Sequence, residues 1–392
     1  MFAANALQDV GITLAAAVEA AWGRAVSARE VQGQRQRALA DQTVAAAPWA
    51  GPPALGLSHR DDRLVSANGG RETEASLSWP LWLPGQRAAR AAIANADLAL
   101  ADANGPAARL HVAGAVREAG WALAALAAEA GQITAQYAEL QALADDVDRR
   151  VRAGDLARAD ALAARAELMA ATAQQAELAQ RLSDAQARWL LLTGLQAWPG
   201  TAGLAEPDRV EGDPPLDLHP DATAAQHAVE AAQRRVERVR LSRREAPEVT
   251  LRLLNSVPGR TESATTSIGI GLRWPFGTDD RNQPLQAAAL TDLDLAQARA
   301  QRLRDQVQAS QAAARSAVAA ATAKASADNT RASLLRERAD LIQKSFKAGE
   351  TPLPDLLRAL SAAAQAEAAA TRQHAAVGLA RAQLHQSFGV AP

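Results

Sequence analysis

The sequence has no cysteine among its 392 residues, few aromatic residues (3%) and a formal net charge of only −1. The lack of cysteine excludes disulfides, thiolate metal sites and a lipidated cysteine anchor. Because the charge is close to zero, no basic face is available for nucleic acid, and we expect no nucleic-acid partner.

Long apolar segments are also missing. No run of 18 or more apolar residues is present, so a transmembrane helix is not predicted. Residues 1–5 lack a cationic region followed by an apolar core, so a secretory signal is not predicted either.

Alanine dominates instead, together with leucine and interspersed charges, which favours one elongated, mainly helical architecture with inserted strands. A helix is predicted over residues 12–46, with apolar positions at Leu14, Val18, Ala21, Trp22 and Val26. Further helices are predicted over residues 86–152, 154–193, 220–245 and 284–347, with a kink or restart at Asn104-Gly105-Pro106. A break over residues 349–354 precedes a last helix that ends at Phe388.

Two pairs of alternating segments predict β-hairpins, 54–59 with 74–79 and 248–253 with 267–274. In the last segment the isoleucines, leucine and tryptophan fall on one face and the glycines and arginine on the other. The apolar face would be the core of a soluble sandwich or the lipid-facing surface of a membrane barrel. Four strands cannot close a barrel alone, so the membrane interpretation requires an oligomer. The membrane interpretation is favoured because both predicted hairpins fall at the same end of helices that are too long to pack on themselves.

Several features recur 195 positions apart, as Gly154 and Gly349 do (349 − 154). Each of these glycines is followed six residues later by an aspartate, Asp160 or Asp355. The pairs Trp79-Pro80 with Trp274-Pro275 and Gly194 with Gly389 keep the same offset. We therefore predict a tandem duplication. Its repeats are residues 1–200, with a hairpin near 53–80 and a helical tip near 154, and residues 201–392, with a hairpin near 247–275 and a tip near 349.

Catalytic and metal sites are not predicted. The six histidines are scattered, and none pairs at the i, i+4 spacing of a helical zinc site. No phosphate-binding glycine loop or nucleophile elbow is present, so we expect neither an enzyme nor a cofactor. Asp160 and Asp355 each follow a helix break, where a carboxylate stabilises the helix N-terminus.

With these features the sequence resembles the TolC family of outer-membrane efflux ducts over nearly its whole length. Within that family it is most similar to the CzcC/CusC-type cation-efflux branch. The similarity to that branch lies in Trp79-Pro80-Leu81 followed by Gly85-Gln86-Arg87, and in Phe276 followed by Arg281-Asn282-Gln283.

The resemblance implies a homotrimer in the cell outer membrane. Each protomer would contribute four strands to a twelve-stranded β-barrel, and long antiparallel helical hairpins to an α-barrel in the periplasm. The implied partners are outer-membrane lipid, a periplasmic adaptor protein and an inner-membrane RND-type transporter.

The resemblance also assigns roles to residues at the helical tips and the membrane boundary. Asp355, with Thr351 and Arg358 beside it, would form the periplasmic aperture, and Asp160 and Phe346 would help to close the tip. The adaptor would contact Gly154, Asp155, Leu156, Gly349 and Glu350, and the interface aromatics would be Trp79, Trp82 and Trp274. Arg358 and Thr351 depart from the family pattern, which often has a second acid and a basic residue there, so we expect a differently latched tip in which Arg358 pairs with Asp355 of a neighbouring protomer.

We accordingly expect an outer-membrane duct of a tripartite efflux pump that exports heavy-metal cations. The alternatives are a duct of the same fold for multidrug efflux or type I secretion, and a soluble coiled-coil scaffold.

Overall fold

The computed structural model describes residues 12–62, 69–206, 215–242, 245–259, 261–276 and 279–392. Its helices are α1 (Leu14–Arg24), α2 (Val26–Ala46), α3 (Gln86–Ala153), α4 (Arg158–Thr193), α5 (Gly200–Leu204), α6 (Pro220–Leu241), α7 (Asp279–Lys347) and α8 (Leu353–Ser387). Its strands are β1 (Ala54–Asp61), β2 (Arg71–Pro80), β3 (Glu248–Val257) and β4 (Thr265–Arg273). The predicted class, mainly helical with a small β part, is confirmed.

The four strands form one antiparallel sheet in the order β1-β2-β3-β4. Both predicted hairpins are present, and they are joined edge to edge because β2 pairs with β3, with Leu77 opposite Leu251. Gly69, between β1 and β2, has a φ of 60°, which suits a glycine in a tight turn.

The chain divides into two compact units, and neither coincides with a predicted repeat. Unit 1 contains Met1–Arg29, Pro106–Pro220 and Arg304–Pro392, and unit 2 contains Glu30–Gly105 and Asp221–Leu303. Each unit therefore draws residues from both halves of the sequence. The repeats at 1–200 and 201–392 remain a prediction.

The described residues of unit 1 form two large apolar clusters and a smaller one of Ala332, Ala366 and Ala370. The first lies where α3, α4, α7 and α8 meet near their connecting turns, and it includes Val147, Phe346 and Leu356, each at most 3% exposed. The second contains α1 and α5 beside α3, α4 and α8, with Trp189 fully buried and its indole N–H donating to the carbonyl of Ala197. Alanines make up much of both clusters, so the helices can approach closely.

Unit 2 contains the sheet and the ends of the helices that lead into it. The side-chain amide of Gln86, at the start of α3, donates to the carbonyl of Leu241 at the end of α6. Arg235 of α6 forms an ion pair with Asp97 of α3 at 2.6 Å, and Arg35 of α2 pairs with Asp102 of α3.

The single helix predicted over residues 12–46 is wrong, because α1 ends at Arg24 and α2 begins at Val26. Ala25 between them is extended (ψ 136°) and its N–H bonds to the carbonyl of Trp22. The extended residue resets the helical phase, so Val26, predicted on the buried face, is largely exposed.

Three prolines are accommodated differently from the prediction. Helix α7 begins at Asp279 rather than at Pro284, since a proline near the start of a helix removes only one hydrogen bond. The break before α8 ends at Pro352 rather than Pro354. Pro354 fits in the first turn of α8 because the N–H groups of a first helical turn have no partner in the helix. Helix α3 continues through Pro106, so the restart predicted there does not occur.

Candidate functional site: the two helix-connecting turns and the exposed sheet face

The turns after α3 and α7 have the same backbone geometry. In the first, Gly154 has φ 89°, its N–H bonds to the carbonyl of Val151, and the N–H of Asp155 bonds to the carbonyl of Arg150. In the second, Gly349 has φ 81°, its N–H bonds to the carbonyl of Phe346, and the N–H of Glu350 bonds to the carbonyl of Ser345. Both are Schellman caps, in which a left-handed glycine lets the chain satisfy the last helical carbonyls.

The two predicted aspartates occupy the third position of the helix that follows each turn. The Asp160 carboxylate accepts a hydrogen bond from the backbone N–H of Ala157 at 3.1 Å, which caps α4. Pro352 stands at the corresponding position before α8 and has no N–H to donate. Asp355 is therefore not used in this way, and its carboxylate lies 3.2 Å from the Arg358 guanidinium of the same chain.

The ion pair between Asp355 and Arg358 is exposed to solvent and contributes little to the stability of the fold. The Asp355 side chain is 46% exposed and that of Arg358 is 79% exposed. An exposed pair one helical turn apart stabilises the helix by only a few tenths of a kcal/mol, about 0.2–0.5. The carboxylate thus remains accessible to ions and to neighbouring chains.

Phe346 was predicted at the tip closure and Thr351 at the aperture. In the structure both side chains stabilise the second turn. Phe346 is buried in the cluster of four helices, and the Arg150 guanidinium carbon lies 5.0 Å from its ring centroid. The Thr351 hydroxyl donates to the Ser345 oxygen at 2.6 Å. This hydrogen bond ties the end of α7 to the turn that precedes α8.

The residues predicted to contact an adaptor lie at the outermost points of the turns. Gly154, Asp155, Gly349 and Glu350 are exposed. Leu156 is partly buried, packing against the four-helix cluster. Four of the five are therefore free to meet another protein, and Leu156 supports the turn.

Two ion pairs link the helices close to these turns. Arg165 of α4 donates to Asp148 of α3 at 2.6 Å, and this hydrogen bond raises the arginine pKa above its usual value. Arg336 of α7 donates to Glu139 of α3 at 3.0 Å, which likewise raises the pKa of Arg336. Each arginine stays charged at every physiological pH.

The sheet has one apolar and one polar face. Rows of large aliphatic side chains cross all four strands on the apolar face, and Leu55 and Ile270 there are each 80% exposed. Beyond the apolar rows a polar row follows, in which His59 bonds to Thr73 and Asn255 to Thr266. The members of the apolar rows are Leu55, Leu57, Leu77, Leu251, Leu253, Ile268, Ile270 and Leu272.

The opposite face carries small and polar side chains. Arg252 forms an ion pair with Glu74 at 3.5 Å, and Arg273 with Glu248 at 3.7 Å. Glycines and serines such as Gly269 fill much of the remaining surface. A contiguous exposed face of large aliphatic side chains is typical of a surface that contacts lipid or protein.

The predicted interface tryptophans differ in their surroundings. The Trp274 side chain is about half exposed just beyond β4. The Trp79 ring packs against the Trp49 ring (centroids 6.2 Å apart), and the Trp82 indole N–H donates to the carbonyl of Ala47. Trp274 is therefore the most accessible of the three, and Trp49 is an aromatic neighbour that sequence periodicity did not reveal.

A buried polar network in unit 1 was not predicted. The Arg117 side chain is only 2% exposed and makes two hydrogen bonds to the Glu206 carboxylate. It also donates to the side-chain oxygen of Gln386 and to the carbonyl of Val390. The arginine joins segments up to 273 positions apart, and a sequence pattern carries no signal for such a distant pairing.

Among the described residues there is no group of three or more histidine, aspartate or glutamate side chains arranged to hold a metal ion.

The helices of the described part of the chain also include none that is long and apolar enough to cross a membrane.

Comparison with solved structures identifies channels of the same fold. A CusC structure, determined in work on transmembrane channel formation, matches with a TM-score of 0.82 and 14% identity over 96% of this chain and 92% of that chain. VceC from Vibrio cholerae, an outer membrane protein, matches with a TM-score of 0.75 and 18% identity over 96% of both chains. CmeC from Campylobacter jejuni, an outer membrane channel, matches with a TM-score of 0.77 and 15% identity over 96% of this chain and 85% of that chain.

The sequence itself matches no protein-family model and no curated protein. At 14–18% identity the three likenesses establish the fold alone. The closer similarity to the CzcC/CusC-type branch remains a prediction. The structure thus has the fold of the TolC-type outer-membrane channels.

Proposed function

We propose that this chain forms, as a homotrimer, the outer-membrane duct of a tripartite efflux pump. The exposed apolar face of the sheet is the observation that carries the proposal, since a face of large aliphatic side chains beside polar residues suits lipid contact. Three copies of the four-stranded sheet would supply twelve strands, and closing them into a barrel would leave no open edge in the bilayer. The small and charged side chains of the opposite face would then line water.

In this proposal the helices extend into the periplasm and the two turns form the tip. The exposed residues Gly154, Asp155, Gly349 and Glu350 are available to a periplasmic adaptor protein, which connects the duct to an inner-membrane RND-type transporter. Asp355 is placed at the aperture with its carboxylate accessible, and Arg358 partly neutralises it. The energy of transport comes from the inner-membrane partner.

We further propose that the cargo is a heavy-metal cation. The support is an accessible carboxylate at the proposed aperture, together with a fold shared with CusC among other channels. Deletion of the gene is expected to increase sensitivity to zinc, cobalt, cadmium, copper or silver salts. Increased sensitivity to dyes and detergents alone would contradict the cation assignment and favour multidrug efflux.

Adjacent residues of β4 provide a direct test of the membrane interpretation. Ile268→Lys places a charge on the apolar face, which costs about 2–4 kcal/mol at the middle of a bilayer. We expect this variant to be lost from the outer-membrane fraction, whereas Ser267→Lys, one residue away on the polar face, assembles normally.

Two results would contradict the proposal. Equal recovery of both lysine variants in the outer-membrane fraction would show that the apolar face does not contact lipid. Purification of the unchanged protein as a monodisperse monomer without detergent would instead favour the soluble scaffold.

A further inference from the structure

Four arginines line a groove between three helices of unit 2. The groove lies between α2, α3 and α6 and has a volume of about 280 Å³. Ile93 and Ala94 of α3 give it an apolar floor, because they are only 7% and 2% exposed. With four arginines and two aspartates, the groove has a formal net charge of +2 (4 − 2). The charged lining residues are Arg37 and Asp41 of α2, Arg90 and Asp97 of α3, and Arg235 and Arg238 of α6.

Each aspartate has one arginine partner in the groove. The Arg235 side chain donates a hydrogen bond to the Asp97 carboxylate at 2.6 Å. The Asp41 carboxylate lies 4.0 Å from the Arg37 guanidinium on the same helix. These contacts compensate two of the four positive charges.

The other two arginines, Arg90 and Arg238, have no acidic partner. In the part of the chain that the structure describes, neither guanidinium forms an ion pair or a hydrogen bond. Arg90 is partly buried, so water reaches its side chain only in part. An uncompensated positive charge beside an apolar floor favours the binding of an anion.

Both unpaired arginines lie close to the sheet. Arg90 comes four residues after α3 begins at Gln86. Arg238 comes three residues before α6 ends at Leu241. The hydrogen bond from the Gln86 side chain to the Leu241 carbonyl places these two helix ends side by side. Each arginine is therefore one helical turn, roughly 5 Å, from the end of the helix that connects to the sheet.

The chemistry of these side chains fits a phosphate group better than a carboxylate. A guanidinium presents a planar fork of N–H donors that matches two oxygens of either anion. A carboxylate has only two oxygens, so a single fork satisfies it. The tetrahedrally arranged oxygens of a phosphate can accept from guanidinium groups on different helices, such as Arg90 of α3 and Arg238 of α6.

We infer that this groove binds a phosphate group, with Arg90 and Arg238 as its principal donors. The group belongs either to a phospholipid headgroup or to free phosphate, which present the same oxygens. The lipid source rests on the proposed duct, in which the sheet lies in the bilayer and a basic pocket beside it attracts anionic lipid. Phosphate binding itself does not depend on the duct, because all four arginines belong to one chain.

Three variants test the groove. Arg90→Gln with Arg238→Gln removes both unpaired guanidinium groups and leaves each aspartate with its partner. The matched control is Arg234→Gln with Arg240→Gln, which removes the same charge from exposed positions of α6 outside the groove. Asp41→Asn changes the charge in the opposite direction, from +2 to +3 (4 − 1).

Two probes distinguish the sources of the phosphate group. Titration calorimetry of the detergent-purified protein with inorganic phosphate, at an ionic strength held constant with chloride, measures the free anion. Native mass spectrometry with phosphatidylglycerol measures the lipid headgroup, and phosphatidylcholine, whose headgroup is neutral overall, is the reference. Binding of phosphatidylglycerol alone identifies the lipid source, and binding of inorganic phosphate alone identifies the free anion.

The variants should shift the affinity for the bound probe in opposite directions. We expect the Arg90→Gln, Arg238→Gln variant to bind at least about tenfold more weakly than the unchanged protein, because two charged donor groups are lost. The Arg234→Gln, Arg240→Gln control should stay within about twofold, since those charges lie outside the groove. Asp41→Asn should bind about threefold more tightly, because one competing carboxylate is removed.

Three results would overturn the inference. The first is that the unchanged protein binds neither inorganic phosphate nor phosphatidylglycerol. The second is equal binding by the Arg90→Gln, Arg238→Gln variant and its control. The third applies if that variant does not fold: Asp41→Asn then decides, and no gain in its affinity for either probe rejects the site. None of these results bears on the duct, which the lysine substitutions in β4 test separately.

Discussion

Asp160 and Asp355 begin α4 and α8 in the same position, yet one proline gives them different partners. Ala157 donates its N–H to Asp160, whereas Pro352 has none to offer Asp355. The first carboxylate is therefore used for capping, and the second is available for an exposed ion pair with Arg358. Because the Asp355 carboxylate contributes little to its own helix, substitutions there should cost little stability.

This difference predicts unequal effects of removing the two carboxylates. Asp160→Ala should destabilise the start of α4 by about 1 kcal/mol, because a cap is lost. Asp355→Ala should cost less than about 0.5 kcal/mol, since only an exposed ion pair is removed. Amide hydrogen exchange at the first turns of α4 and α8 measures both effects.

Ala157→Pro provides the control, because Ala157 already has a φ of −77°, which proline adopts. In that background Asp160→Ala should have almost no further effect on exchange. If Asp160→Ala still cost its full amount there, the carboxylate would act through another partner.

Close packing at Gly378 in α8 gives a second prediction. A Cβ at this position would clash with the Trp121 ring, which is itself held in the core. Gly378→Ala should therefore destabilise the protein by about 3 kcal/mol, measured by thermal unfolding. Gly131→Ala in α3 is the matched control, since its Cβ would meet no described atom within 4 Å. It should stabilise the protein by up to about 1 kcal/mol, and a similar loss in both variants would contradict the packing explanation.

At the scale of elements, Arg336 links helices near the turns. It pairs with Glu139 of α3, Glu367 of α8 and Asp340 of its own helix. We expect Arg336→Met to lower the free energy of unfolding by about 1 kcal/mol at low salt, and by less at high salt as the charges are screened. Arg331→Met, an exposed change on the same helix, should have almost no effect.

The pH dependence of this link follows from the direction of the pKa shift. Glu139 raises the pKa of Arg336 above its unfolded value, so the stabilisation is present below that value and is lost only as pH rises through the folded pKa. The effect of Arg336→Met should thus be the same at about pH 7 and about pH 10. A decrease over this range would show that the arginine loses its proton and would contradict the assignment.

Sequence pattern predicted most helices and both hairpins because apolar spacing and proline positions are local signals. The break at Ala25 was missed, since alanine favours helices and only the local packing determines its extended conformation. The network of Arg117 was missed for a different reason. Its partners are distant in sequence, and no periodicity connects them. At the tip, the positions of Asp160 and Asp355 were predicted, but their hydrogen bonds depend on the neighbouring backbone.

At the scale of the whole molecule, we propose that the predicted duplication produced two tips of one geometry. Support comes from the Schellman caps at Gly154 and Gly349, which make the same hydrogen bonds 195 positions apart. The helices that follow also begin 195 positions apart, at Arg158 and Leu353. The second tip then differs by Pro352, which offers the Asp355 carboxylate no backbone N–H to cap.

A trimeric duct would multiply that charge by three, and this gives a prediction for ion selectivity. Asp355→Asn should reduce the preference for cations, measured as the reversal potential in planar bilayers under a salt gradient. Arg358→Ala should increase it, because the carboxylate loses its neutralising partner. Asp160→Asn is the control, since its carboxylate binds a backbone N–H, and it should leave the reversal potential unchanged. If Arg358→Ala has no effect, the pair does not lie at the conducting aperture.

The buried Arg117 has a consequence for the order of folding. Its guanidinium is compensated by Glu206, Gln386 and Val390, which enter the chain 89, 269 and 273 positions later. Until Glu206 is present, burying the arginine would leave its charge unpaired, at a cost of several kcal/mol, and until the end of the chain is present two of its hydrogen bonds would still be missing. We therefore expect the cluster around Arg117 to pack fully only after the end of the chain is present. One buried arginine would thus delay the packing of the first helices of the chain until the last helix is available.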